Sequence, residues 1–371
     1  MTKISLSKPS ILKKEIEIIN KSLRSGWLTH GPNNLKFEKN FSKFIKTKYA
    51  ISMNSCTSAL ECALKVIKKK GEIIIPSWTW VSTANAVLNT GNTPVFADVD
   101  LNSRNLTAHH IKRKITNKTV GVIVVHYGGL PCQMKEIISL IKKHKIDLIE
   151  DSAETLGATC DNKFTGSFGT GCFSFFPTKN ITTTEGGMLS TNNKSHYEKI
   201  KLIIAHGIDK NLKKHFWHRE STLPGHNFRL PNHLAALGVS QLKRLNVFNK
   251  RRRIIAKKYD VFLKKFDNFF EVQKIDKNLS HSYQMYTFLV NSKYRNSLLY
   301  FLKSNNIEAS AHFDPPLHRQ KYLKKYSKEK LKNTDDLSKK IITLPMYPDL
   351  KDGQIKKIQQ KISQWYKQNA K

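Results

Sequence analysis

The sequence predicts an α/β protein, a mainly parallel sheet covered by helices on both faces and followed by a smaller α+β unit. Three observations lead there. Apolar, β-branched runs alternate with helical stretches between residues 72 and 151, as in strands buried on both faces. Polar or acidic residues close those runs, as expected where the C-terminal strand ends meet on one edge and bind ligands. After a long helical stretch near residue 240, the alternation gives way to a shorter mixed pattern.

The elements follow in order. Ile11, Ile16, Ile18, Ile19 and Leu23 recur at helical spacing over 9–24, with Ser10 as the expected cap. Trp27 to Pro32 reads as a loop, 34–46 as a helix, 50–53 as a strand and 59–67 as an apolar helix. Strands are then expected at 72–75, 94–97, 120–125 and 147–149, with helices at 81–88 and 133–144 between them. Glycines punctuate short strands over 161–190, with 172–176 as the clearest. A helix over 234–264 is long enough to bridge two lobes. The later pieces are a strand at 283–290, a helix at 295–304, a loop at 312–318 and a helix after Asp349. The expected division is a large domain over 1–245 and a small one over 246–371.

Composition narrows the class. Hydrophobic residues make up 39% of 371, enough for a core and too many for a disordered chain. No run approaches the length of a membrane span, and the N-terminal residues offer no signal-peptide core. The five cysteines (56, 62, 132, 160, 172) form no CxxC and read as reduced thiols, so a cytoplasmic protein is expected. The net charge of +36 raises a polyanion as partner. The excess is mostly Lys dispersed along helix faces, with Arg251-Arg252-Arg253 as the one tight run. Solvated surface is the favoured reading, attraction for an anionic small substrate the other; a nucleic-acid partner is not expected.

Among sequence motifs, HExxH, GxSxG, GxGxxG and Walker A are all missing. His215 and His218 lack companion ligands, and no metal site is expected. What stands out is Asp151 at a strand end and, 28 residues on, Lys179 between an aromatic strand and a Gly turn. A shielded Lys suits amine chemistry with carbonyls, and an Asp there suits a pyridinium N–H. Each has a plainer reading, an exposed Lys and a helix-capping Asp.

Longer motifs weigh against those plainer readings. In order they are WLTHGP (27–32), NSCTSAL (54–60), IIIPSWTWVSTANAV (73–87), NTPVFADVD (92–100), VHYGGLP (125–131), EDSAETLGA (150–158), FSFFPTKNITTTEGG (173–187), HNFRLPNHLAALGVSQL (226–242) and AHFDPPLH (311–318). This set resembles the DegT/DnrJ/EryC1/StrS family of sugar aminotransferases. The resemblance implies a pyridoxal-phosphate-dependent transferase of fold type I, with a mostly parallel seven-stranded sheet and a smaller C-terminal domain.

The resemblance also implies roles. Lys179 would bind the cofactor covalently and move the proton, Asp151 would pair with the ring nitrogen, and Trp80 would lie on the ring face. The phosphate would be held by the Cys56 and Thr57 N–H groups and the Thr57 and Ser174 hydroxyls. Asn227 would reach that phosphate from a second subunit, which implies a homodimer. Trp27, Thr29, Arg229 and His312 are the candidates for the sugar side.

Three positions depart from the pattern. Cys56 replaces a Gly of the turn, Thr184 stands where Gly usually precedes Glu185, and Glu154, near the ring oxygen, occupies a place often held by Gln or His. Glu154 resembles the perosamine-synthase-like branch. The resulting expectation is transfer of an amino group, from L-glutamate, to the C4 ketone of a nucleotide-linked 4-keto-6-deoxyhexose. The alternatives are a UDP-linked N-acetylated 4-keto sugar, a 3-keto sugar, or a basic nucleic-acid-binding or regulatory protein on an inactive fold.

Overall fold

A computed structural model describes residues 3–209, 211–212, 215–327 and 329–369. The chain opens with α1 (Lys13–Arg24), whose entry is capped by Glu15: its Oε2 accepts the Leu12 N–H at 2.9 Å. Ser10, the expected cap, instead receives the Arg244 guanidinium on its carbonyl oxygen and hydroxyl. Helix α2 (Pro32–Ile45) starts on a proline in its first turn, where the ring costs no hydrogen bond.

Strand β1 (Tyr49–Met53) leads to α3 (Cys56–Lys65), β2 (Glu72–Pro76), α4 (Val81–Asn89), β3 (Thr93–Ala97) and α5 (Ala108–Lys112). The alternation continues with β4 (Thr119–Val125), α6 (Met134–His144) and β5 (Asp147–Asp151). Two short strands, β6 (Thr159–Cys160) and β7 (Lys163–Phe164), precede β8 (Thr170–Ser174) and β9 (Gly187–Thr191). Helices α7 (Lys194–Ile203) and α8 (Asn232–Leu263) follow. The last part comprises β10 (Phe270–Val272), β11 (Leu279–Ser280), β12 (Tyr286–Val290), α9 (Ser292–Ser304), α10 (Lys332–Lys340), β13 (Ile341–Leu344) and α11 (Asp352–Asn369).

Seven strands form the main sheet in the order β1-β9-β8-β5-β4-β2-β3, and only β9 runs antiparallel to its neighbours. The predicted α/β class and mostly parallel sheet are thus present. A second, antiparallel sheet β10-β12-β13 carries the later unit. β12 begins three residues later than the sequence suggests, because Tyr283 adopts φ +48°, which extended pairing cannot accommodate. Helices α7 and α10 and strand β13 had no clear periodic signal.

Position 245 lies in the middle of α8, whose 32 residues extend about 48 Å. Its first half packs Ala235, Val239, Leu242, Leu245 and Phe248 against the main sheet's side. Its second half gives Ile255, Ala256, Tyr259 and Leu263 to the core of the later unit. Gly238 lets α2 cross closely, since a Cβ there would come within 2.6 Å of the Phe37 ring. Buried Arg252 donates to the carbonyl oxygens of Tyr283, Gln284 and Met346 at 3.0–3.1 Å, which fixes the later unit's inner edge against the helix.

Candidate active site

A cavity of about 410 Å³ opens at the C-terminal edge of the parallel strands. Val125, Asp151 and Ser174 reach it from the ends of β4, β5 and β8, and Thr79 and Trp80 from the turn after β2. Glu150 and Asp151 are consecutive on β5 and so point to opposite faces. Glu150 is fully buried away from the cavity, accepting N–H bonds from Gly166, Phe168 and Gly169 at 2.7–2.8 Å and meeting His126 Nε2 at 3.2 Å. The Cys132 N–H donates to His126 Nδ1, so the proton sits on Nε2 and is given to Glu150.

Asp151 lines the cavity at only 5% exposure. Its Oδ2 accepts the Thr83 hydroxyl at 2.9 Å and its Oδ1 the Ala153 N–H at 3.2 Å. Burial holds its pKa above the usual carboxylate range, although those two bonds and nearby Lys179 oppose the shift. A buried carboxylate facing a cavity is suited to a partner that brings a proton or positive charge.

Lys179 stands on the connection from β8 to β9, which its own hydrogen bonds hold in place. Lys179 N–H donates to Phe176 O, Thr183 N–H to Phe175 O, and Gln284 Nε2 to Thr178 O. Its Nζ lies 3.2 Å from Glu154 Oε1, and Glu154 Oε2 accepts the Gly128 N–H at 2.8 Å. The amine is therefore aimed by a carboxylate that is itself anchored to backbone.

Helix α3 begins at the same cavity. Ser55 caps it by accepting the Ser58 N–H, and the Cys56 and Thr57 N–H groups have no hydrogen-bond partner among the described residues. Gly187 permits β9 to pass this helix end, since a Cβ there would lie 2.3 Å from the Ser55 carbonyl and 2.6 Å from Cys56 N. The two sequence departures separate here. Cys56 is an ordinary first-turn helical residue with no positive φ, whereas Thr184 is held at φ +69°. Burial, with Asp151 adding to it, pushes the Cys56 thiol well above its ordinary value, so the thiol stays protonated.

The predicted residues fall into two groups. Cys56, Thr57, Trp80, Asp151, Glu154, Ser174, Lys179 and His312 line the one cavity. Trp80 is 62% exposed at the start of α4, its ring 6.1 Å from that of Phe313. His312 faces Thr343 Oγ1 at 3.1 Å, and burial lowers its pKa. Trp27, Thr29, Asn227 and Arg229 do not line it. Trp27 and Thr29 are exposed between α1 and α2, and the Trp27 indole donates to the His30 carbonyl oxygen. The Arg229 guanidinium donates to Asn227 Oδ1 at 3.1 and 3.3 Å on the segment that leads into α8. That segment and the α1–α2 loop meet where the Asn232 N–H donates to Leu28 O.

Sequence reasoning missed Thr83 and Phe313, which lie inside the quoted motifs at 73–87 and 311–318 but were not singled out there, and the cavity walls Leu6, Ser7 and Met285, which had no signal.

The set fits pyridoxal phosphate. Free N–H groups at a helix N-terminus with the Thr57 and Ser174 hydroxyls suit a phosphate, the buried Asp151 suits a protonated ring nitrogen, and a held primary amine suits an aldehyde.

Comparison with known proteins agrees. The chain is 34% identical to the GDP-perosamine synthase of Escherichia coli O157:H7 over 99% of both chains. It is 35% identical to the spore coat polysaccharide biosynthesis protein SpsC of Bacillus subtilis, over 94% of this chain and 93% of the relative. Its fold matches PseC of Helicobacter pylori, an aminotransferase involved in the biosynthesis of pseudoaminic acid, with a TM-score of 0.93 at 30% identity, covering 99% of this chain and all of that one. The fold is that of the pyridoxal-phosphate-dependent sugar aminotransferases. Over residues 9–363 the sequence matches the DegT/DnrJ/EryC1/StrS aminotransferase family, and the chain belongs to it.

Proposed function

We propose that this sugar aminotransferase moves an amino group from L-glutamate to the C4 ketone of a nucleotide-diphosphate 4-keto-6-deoxyhexose. It would do so as a cytoplasmic homodimer, with a large domain over 1–245 and a small one over 246–371. The observation that carries the reading is the Lys179 amine held by Glu154 in the same cavity as the buried Asp151 carboxylate. Glu154 and the similarity to a GDP-perosamine synthase together favour the 4-keto-6-deoxyhexose. The similarity to an enzyme of pseudoaminic acid biosynthesis favours a second reading, a UDP-linked N-acetylated 4-keto sugar.

Each residue has a task in this scheme. Bound pyridoxal phosphate supplies an electron sink and a carrier for the nitrogen. Lys179 removes a proton from the donor carbon in one half-reaction and returns one to the sugar carbon in the other. Glu154 keeps the Lys179 amine on that line of transfer. Asp151 accepts the ring N–H, and Thr83 fixes the carboxylate that does so. Cys56 and Thr57 N–H groups, with the Thr57 and Ser174 hydroxyls, would hold the phosphate, and Trp80 would pack against the ring. Asn227 and Arg229, outside their own cavity, would serve that of a second copy, Asn227 at its phosphate and Arg229 with Trp27 and Thr29 at its mouth.

The test is direct. The purified protein should be yellow, and borohydride should place a pyridoxyl group on Lys179 in a peptide map. A mark on another Lys refutes the assignment. With the protein in its pyridoxamine phosphate form, a panel of 4-keto nucleotide sugars should include one that restores the visible band in a single turnover. If only 3-keto sugars did so, the C4 reading would be wrong.

A further inference from the structure

The N-terminal residues form a strap across the two units. Ile4 pairs with Ile307, its N–H donating to Asn306 O and its carbonyl oxygen accepting the Glu308 N–H, both at 2.9 Å. Glu308 then returns a side-chain bond, its Oε2 accepting the Leu6 N–H at 2.8 Å while Oε1 meets Lys3 Nζ at 2.5 Å. The Leu6 carbonyl oxygen accepts the Met346 N–H at 3.0 Å. Four residues past this lock, Arg244 and Gln241 of α8 bind the Ser10 carbonyl oxygen. The chain is thus tied to the later unit at one end and to α8 at the other, and between the ties Leu6 and Ser7 line the cavity.

Their position within the cavity is specific. The wall formed by Ser55 to Thr57, Asp151, Ser174 and Lys179 is the one suited to the cofactor. Leu6 and Ser7 line the same cavity as Met346, Leu344 and His312, and the Leu6 carbonyl oxygen is bonded to the Met346 N–H. They are half-buried, and the next residues, Lys8 and Pro9, are exposed, so the strap forms part of the rim. The Ser7 hydroxyl has no hydrogen-bond partner among the described residues. An amino-acid donor is small enough to reach Lys179 without leaving the cavity, whereas a nucleotide-linked sugar must extend past the rim.

We propose that the strap is a specificity wall for the sugar, with the Ser7 hydroxyl as a hydrogen-bonding contact to the acceptor and Glu308 as the residue that positions it. This rests on the sugar-acceptor reading above. The experiment measures the two half-reactions separately in the holoenzyme, with L-glutamate as donor and a panel of 4-keto-6-deoxyhexose nucleotides as acceptors. Ser7→Ala should raise KM for the accepted sugar about 3- to 10-fold, the loss of one neutral hydrogen bond, and leave the glutamate half-reaction unchanged. Glu308→Ala should raise the same KM and also speed hydrogen exchange at the Leu6 amide, a readout independent of turnover. An unchanged sugar KM in Ser7→Ala, or equal damage to both half-reactions, overturns the proposal while the aminotransferase reading stands. A wild-type enzyme that takes nitrogen from glutamate and passes it to none of the keto-sugars overturns the parent reading, and this one with it.

Discussion

Thr184 offers a clean test of where this site stores backbone strain. It sits at φ +69° in the turn that joins the Lys179 segment to β9, a left-handed conformation that a β-branched residue rarely adopts. The turn is held from both sides: the Thr184 N–H donates to Thr182 Oγ1 at 2.9 Å, and Thr183 Oγ1 donates to the Glu185 carbonyl oxygen at 2.8 Å. The Thr184 side chain itself is exposed. Substitution by Gly therefore removes the steric cost and keeps the backbone bonds. A left-handed L-residue costs about 1–2 kcal/mol, and the greater freedom of an unfolded Gly returns about 0.4–1 kcal/mol of that. Thr184→Gly should thus gain roughly 0.5–1 kcal/mol. At about 2.1 cal/mol/K per residue the unfolding entropy of this chain is near 0.8 kcal/mol/K, so calorimetry should show a rise of about 1 °C. Cys56→Gly is the control. Cys56 has helical backbone, so Gly there should lower stability by up to about 1 kcal/mol. A destabilised Thr184→Gly, or a stabilised Cys56→Gly, would refute the placement of strain.

The buried Asp151 and the sugar-side residues yield two more predictions. Burial raises the folded-state pKa of Asp151, so the folded cofactor-free protein holds this proton more tightly than the unfolded chain, and the residue costs stability as pH rises past its ordinary value near 3.8. Asp151→Asn should therefore raise the thermal midpoint of the cofactor-free protein at pH 7, with the advantage vanishing in acid, while catalysis collapses; an equal midpoint at both pH values would sink the argument. If Arg229 and His312 contact the nucleotide sugar, their Ala variants should raise its KM and spare the glutamate half-reaction, and the Arg229→Ala defect should be complemented in mixed dimers with Lys179→Ala. Failure to recover activity in those mixtures would place Arg229 in its own subunit's site.

The parts of this molecule that the sequence displayed are those governed by local rules. Buried parallel strands need apolar runs, and helices on a sheet need a 3.6-residue period, so β2 to β5 with α4 and α6 were visible to within a few residues, whereas the five-residue α5 was not. Helix α10 was not, because its Lys332 to Lys340 stretch is almost wholly polar and is held by bonds to distant residues, such as Asp98 accepting the Asn333 and Thr334 N–H groups. The site followed the same division. Lys179, Asp151 and Glu154 lie in continuous motifs, so they could be singled out before any geometry. Ser7 and Met285 reach the cavity only through folding, and Thr83, though inside the motif at 73–87, shows its bond to Asp151 only in the folded chain. Nor could spacing separate Cys56 from Thr184, since both replace a glycine; the sign of φ is set by hydrogen bonds on either side of each position. Trp27, Thr29, Asn227 and Arg229 do not line the cavity of their own chain. A sequence motif records that a residue is required by a site, whereas a fold of one chain records only the sites that chain can close alone. Exposed Trp27, Thr29 and Asn227 and half-buried Arg229, outside a cavity bordered by the 62%-exposed Trp80, are what a site shared between two copies would leave on each of them.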